Sequence, residues 1–202
     1  MIKNKIIIIA LLISFNFQSS IYATKSSHKI EFLINESIIT NYDIAQHFTI
    51  NSILENTQIT SANKDQFYKK TIDDLIDMKL KQIKIKEYNI ILDDENINYY
   101  EDYYFQSKNL DKIKVFDIME KNNLDLKILN EKIQTAIAWE QLTSGLFFHT
   151  IAISESEVNE FVKKDQSIPR ETAERILTNR QIKLKSDKYL RDLKAEANIE
   201  KR

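Results

Sequence analysis

Apolar positions in this chain fall into long helical stripes broken by polar, Asn-containing junctions, with one short exception near residue 30. From Lys29 to Thr40 the pattern alternates: Ile30, Phe32 and Ile34, an Asn35-Glu36 turn, then Ile38 and Ile39. This is the signature of a short β-hairpin. Thr40 with Asp43 has the spacing of a capping box and predicts a helix to about Glu55, with Ile44, Ala45, Phe48 and Ser52 on its inner face. Residues 56–63 are polar and read as a loop. Ile72, Leu75, Ile76, Leu80 and Ile83 then recur at i, i+3 and i+4, predicting a helix over about 64–88. Asn89 can adopt the left-handed conformation that ends a helix where Gly is absent.

Four further helices are predicted before the last one. Asp93 caps the first, over about 94–108, and a short one covers about 110–121 until Asn122-Asn123 breaks it. The next runs from Asp125 to about Phe148, burying Leu129, Ile133, Ile137 and Leu142 or Trp139. Ser154 with Glu157 is a second capping box, opening a helix to about Lys164. Pro169 stands at the start of a final helix over about 170–197, where a missing N–H costs nothing, and Ile199 can add a terminal strand. The expected stripe of that helix is Ala173, Ile176, Leu177, Leu184, Leu190, Leu193 and Ala197. The fold class is therefore mainly α, with a short N-terminal hairpin completed by the C-terminal segment.

Composition narrows the chemistry. Of 202 residues one is Gly, one is Pro and none is Cys. A phosphate-binding loop or dinucleotide fingerprint needs clustered glycines, and only Gly145 is present. Without Cys there are no disulfides, thiolate nucleophiles or Cys-based zinc sites. His28, His47 and His149 lie far apart and form no metal-ligand spacing. The net charge of −1 implies no nucleic-acid partner. Catalytic residues, metal ligands and cofactors are accordingly expected to be none. Charge is uneven, however. Residues 170–202 hold 10 basic and 6 acidic side chains, residues 24–169 hold 17 and 24, and a basic final helix can pack on an acidic body.

The N-terminus reads as an export signal. Lys3 and Lys5 precede an apolar run beginning at Ile6, and Ile21-Tyr22-Ala23 offers a small residue at a cleavage site. The run reaches at most about 12 residues, short of the roughly 20 that span a bilayer. Cleavage after Ala23 is expected, leaving residues 24–202 as one domain. Within it, 24–168 form the N-terminal part and 169–202 a helix packing back. The expected location is the periplasm, with membrane contact only transiently through the signal peptide.

The segment Lys29 to Ile44, KIEFLINESIITNYDI, resembles the opening of SurA-type periplasmic chaperones. Leu75-Ile76-Asp77-Met78-Lys79-Leu80 is similar to that family's next helix, with Asn89-Ile90 where the family usually has Gly-Ile. Ile153-Ser154-Glu155-Ser156-Glu157-Val158 resembles its later helix start, and Asn179 to Ala197 with Ile199 its final helix and closing strand. The resemblance covers nearly all of residues 29–202. It implies an ATP-independent chaperone that binds unfolded outer-membrane proteins or other exported polypeptides, using neither nucleotide nor catalysis. Relatives carry parvulin-type prolyl isomerase domains between the last two helices. Here only Lys164 to Ile168 separate them, too few for a domain of about 100 residues, so the isomerase is expected to be missing. Two alternatives are a degenerate isomerase relative with a residual enzymatic role, and a scaffold or assembly factor held at the inner membrane.

Candidate client-binding residues are Tyr99, Tyr100, Tyr103, Tyr104 and Phe105, five aromatics in seven positions. Helical spacing pairs Tyr100 with Tyr104 on one face and Tyr99 with Tyr103 on the adjacent one. An exposed part of such a cluster supplies adaptable contact area for apolar segments. Trp139, Phe147 and Phe148 read mainly as core, and Asp73, Asp74 and Asp77 as a solvated face. Asp43 and His47 lie four apart on one helix, a spacing that permits a hydrogen bond.

Overall fold

The computed structural model describes residues 28–93 and 97–202. The expected signal peptide and its cleavage site lie outside these residues. Strands β1 (Ile30–Ile34) and β2 (Ser37–Thr40) form the hairpin, and β3 (Ile199–Lys201) pairs antiparallel with the free edge of β1, giving the order β2-β1-β3. Ile34 faces Ser37 on one side and Ile199 on the other, while the register slips between Ile30 and Phe32. Asn35, at φ 51°, makes the turn, and its side-chain Oδ1 accepts a 2.9 Å hydrogen bond from the Asn198 backbone N–H. One Asn thus shapes the hairpin and ties it to the segment entering β3.

Seven helices are present among the described residues: α1 (Asn41–Leu54), α2 (Lys64–Glu87), α3 (Ile97–Ser107), α4 (Lys112–Lys121), α5 (Leu126–Phe147), α6 (Glu155–Lys164) and α7 (Arg170–Glu196). Both expected capping boxes are formed, Thr40 with Asp43 and Ser154 with Glu157, and Asp111 and Asp125 cap α4 and α5. Helices α1 to α4 all end in one way. Asn56, Asn89, Asn109 and Asn123 take positive φ, and each donates its backbone N–H to the carbonyl three residues back. The following N–H closes the wider bond, as in Leu110 to Phe105 and Leu124 to Met119. In a chain with a single Gly, Asn supplies the left-handed residue these endings require, because its short polar side chain tolerates that conformation.

Two apolar clusters form the core. One gathers Ile34, Ile39, Ile44, Leu75, Ile76, Met78 and Leu80 under the sheet, with Leu190, Ala197 and Ile199 packed against it. The other gathers Ile50, Leu54, Tyr104, Phe105, Val115, Met119, Leu129, Ile133 and Ile137. Helix α1 reaches both, and its buried face corrects the expected one. Ile44, His47, Ile50, Asn51 and Leu54 are inside, Ala45 is exposed, and Phe48 and Ser52 are only half-buried. The polar His47 and Asn51 hid this face from a reading of apolar residues alone.

Helix α7 packs on α2, α5 and α6. Its buried residues are Ala173, Ile182 and Ser186, whereas Ile176 and Leu184, expected inside, are exposed. The polar Ser186 is buried because it accepts a 2.9 Å hydrogen bond from Trp139 Nε1. The Trp139 ring also stacks on Tyr189 at 5.6 Å between centroids. Phe148, grouped with the core residues by sequence, is exposed instead. The acidic face of α2 is not merely solvated: Lys194 bridges Asp77 at 2.9 Å and Asp73 at 3.5 Å, joining the basic helix to the acidic body.

Candidate functional site

The aromatic helix α3 lies against α5 and is pinned to α4 by Lys112, whose Nζ is 2.9 Å from both Glu101 and Asp102. This anchoring fixes which face of α3 turns inward. Phe105 (2% exposed) and Tyr104 (6%) are core residues, packed edge to face at 5.7 Å, with Phe116 on the far side of Phe105. Burial, reinforced by the Glu55 carboxylate, pushes the Tyr104 hydroxyl up to about 12. Tyr100 is half-buried against the same cluster. Tyr99 (67%) and Tyr103 (46%) are exposed.

The five-residue surface expected from sequence is therefore corrected. Tyr104 and Phe105 hold the fold, and only Tyr99, Tyr103 and an edge of Tyr100 are available to a partner. These three rings and Ile137, Glu140, Gln141 and Ser144 of α5 line a shallow groove of about 250 Å³. The rings of Tyr99 and Tyr100 meet edge to face at 5.8 Å. At the end of the groove the Glu140 carboxylate stands beside the Tyr103 hydroxyl and raises its pKa, so the phenol remains a neutral hydrogen-bond donor. The groove thus offers aromatic faces, an aliphatic floor and a few polar groups, a combination suited to an extended chain with apolar side chains.

Behind Tyr103 lies a second depression, a cleft of about 480 Å³ between α1, α2, α3 and α5. Lys81 and Lys132 line it half-buried, and burial lowers the pKa of both ammonium groups. Sequence reasoning missed this cleft. The available signal was position: Lys81 and Lys132 directly adjoin the buried Leu80 and Ile133 at the edge of the apolar stripes.

The Asp43 and His47 pair does not form a catalytic couple. The Asp43 carboxylate is committed to Thr40, accepting from its backbone N–H and hydroxyl at 2.8 Å each. His47 is 4% exposed, and burial lowers its pKa to about 4, with Lys132 and Lys79 adding to the shift and Asp43 opposing it. Among the described residues no group of three His, Asp or Glu could hold a metal ion, and no helix is long and apolar enough to cross a membrane.

No family model matches the chain, and no curated protein matches it.

Proposed function

We propose that this protein is an ATP-independent chaperone for exported polypeptides, built on a SurA-like helical module without isomerase domains. The carrying observation is the exposure of Tyr99 and Tyr103 beside an apolar groove, on a helix whose Tyr104 and Phe105 are locked in the core. Large rings held by a rigid helix give contact area at little conformational cost, which favours weak and repeated capture of unfolded segments. The closure of the hairpin by β3 agrees with the module that the sequence resembles. So does the five-residue connection between α6 and α7, which has no room for an inserted domain. In this reading residues 1–23 direct export and are removed after Ala23, the protein acts in the periplasm, and its clients are unfolded outer-membrane proteins. It acts as a binder, with no catalysed reaction and no cofactor.

The deciding experiment dilutes a urea-unfolded outer-membrane β-barrel protein into buffer and follows light scattering. Equimolar protein should suppress the aggregation without nucleotide, and should do so at high ionic strength, because apolar contact is little affected by salt screening. Aggregation that proceeds unchanged at every ratio tested would exclude the chaperone reading.

A further inference from the structure

One face of α4 is apolar, acidic and uncovered. Ile113, Phe116, Leu124 and Leu126 line a groove of about 770 Å³ along the helix and its turn into α5, and Ile113 is 81% exposed at the rim. The charged side chains of that lining are Asp117 and Glu120, both carboxylates. The lysines of α4 are engaged elsewhere or beside it: Lys112 with Glu101 and Asp102, Lys114 with Asp111, and Lys121 with Asp117. Glu120 makes no ion pair among the described residues. The outward stripe of α7 carries the opposite charge. Ile176, Arg180, Lys183 and Leu184 are exposed at i, i+4, i+7 and i+8, with Leu184 at 54%. Arg180 makes no ion pair among the described residues, and Lys183 has only Asp187, four positions on at the surface. Exposed pairs such as Lys121–Asp117 and Lys183–Asp187 contribute little and are readily exchanged for others.

The two faces share one spacing. On α4 the apolar residue at 113 is followed by carboxylates four and seven positions on; on α7 the apolar residue at 176 is followed by cations four and seven positions on. Each interval covers about 10 Å of helix. Laid side by side and parallel, the helices set Ile113 against Ile176, Asp117 beside Arg180 and Glu120 beside Lys183, with Leu184 towards the Leu124 end of the groove. The faces do not meet within one chain, because α7 is fixed on α2, α5 and α6 while α4 is fixed on α1 and α3. We infer that the α4 groove of one copy receives the α7 face of a second copy. The contact is head-to-tail, so every copy keeps one groove and one α7 face free for the next. Two short helix faces bury little area, so the association is weak and depends on concentration. It does not depend on chaperone activity, since the α4 groove and the tyrosine groove have no lining residue in common.

Sedimentation velocity of the purified protein, over about a hundredfold range of concentration, tests this. The average mass should rise past that of a dimer as concentration increases, and should fall again when salt is added, because the pairs are exposed to screening. Asp117→Lys with Glu120→Lys spoils the groove and leaves α7 intact. Ile176→Ser with Leu184→Ser spoils the α7 face and leaves the groove intact. All four side chains are exposed, so both variants should keep the parent's circular dichroism, and each alone should stay monomeric. Mixed in equal amounts they should form a one-to-one dimer and nothing larger, since one intact groove and one intact α7 face remain between them. Glu160→Lys, on the exposed side of α6, should associate as the parent does. A parent mass that does not change with concentration, variants that associate like the parent, or a mixture that stays monomeric would overturn the inference. Loss of association in the groove variant alone would instead assign the contact to two α4 faces and equally overturn it.

Discussion

The two apolar clusters of this protein solve different problems. The cluster under the sheet is aliphatic and is closed by residues from opposite ends of the described chain, since β1 and β2 meet Leu190, Ala197 and Ile199 there. The cluster around α3 and α4 is built from the middle of the chain, includes aromatic rings and leaves apolar side chains uncovered above it. Tyr99, Tyr103, Ile113 and Ile118 are all exposed on those two helices. Burial that closes a fold and apolar surface left for other molecules are thus kept apart, and α1 is the helix that joins them.

The sharpest way to break this division is to remove its closure. Deleting residues 170–202 takes away the β3 partner of β1, the Lys194 bridges to α2 and the Ser186 partner of the Trp139 indole N–H. Each buried apolar side chain lost removes about 1.5–3 kcal/mol, and a domain has only about 5–15 kcal/mol in total. The truncated chain should show no cooperative thermal transition. An unshifted transition would mean that the sheet cluster is complete without α7 and β3.

Next in size is the loss of a buried ring from the other cluster. Phe105→Ala empties a site lined by Tyr104, Phe116 and their neighbours, and should cost about 3–5 kcal/mol by chemical denaturation. A cost below about 1 kcal/mol would place Phe105 with the exposed tyrosines rather than with the core.

The joint between the clusters should be sensitive to acid. His47 is buried on α1 between Ile44 of the sheet cluster and Ile50 of the aromatic one. Its folded pKa, about 4, lies below the ordinary 6.5, so the unfolded chain takes up the proton first. Its contribution is therefore unchanged above about pH 6.5 and is lost as pH falls from there to about 4, by up to about 3 kcal/mol. His47→Gln should flatten stability over that window. An equally steep acid loss in the variant would assign the effect to other groups.

These two regions were unequally legible from sequence. The sheet cluster was readable because the Thr40–Asp43 box and the stripe of α2 rely on local rules that the structure keeps, whereas the alternation expected in β1 places only Ile34 in the core and leaves Ile30 exposed. The four Asn endings follow the same logic, although only Asn89 and the Asn122-Asn123 break stand out before the bonds are seen. The α1 and α7 faces were misread wherever a polar residue is buried for its partner or its neighbours, as with His47, Asn51 and Ser186. On α3, periodicity separates Tyr99 and Tyr103 from Tyr100 and Tyr104 but carries no information on which pair enters the core. That choice is made by tertiary contacts, including the Lys112 bridges. The lysine cleft was illegible because four helices are needed to form it.

The smallest expected effect on stability is also the one that tests the division most directly. Tyr99 and Tyr103 are 67% and 46% exposed, so replacing both with Ala removes less buried area than truncating a core ring and should change the unfolding free energy by no more than about 1 kcal/mol each. Helix propensity works in the same direction, because Ala favours a helix more than Tyr does. The rings are instead the larger part of the groove wall facing α5, and without them an unfolded client segment loses its stacking partners. The double variant should keep a denaturation midpoint close to the parent's and bind an unfolded β-barrel protein more weakly, at low and high salt alike. Tyr104→Ala, four residues from Tyr100 on the inward face, should do the reverse at its first step and lose the fold's stability before binding can be judged. If the Tyr99 and Tyr103 variant binds like its parent, the uncovered surface used by clients lies elsewhere, and Ile113 and Ile118 on α4 become the next residues to replace. If it unfolds, the two rings belong to the core, and the separation of closure from contact surface fails on the helix that most clearly displays it.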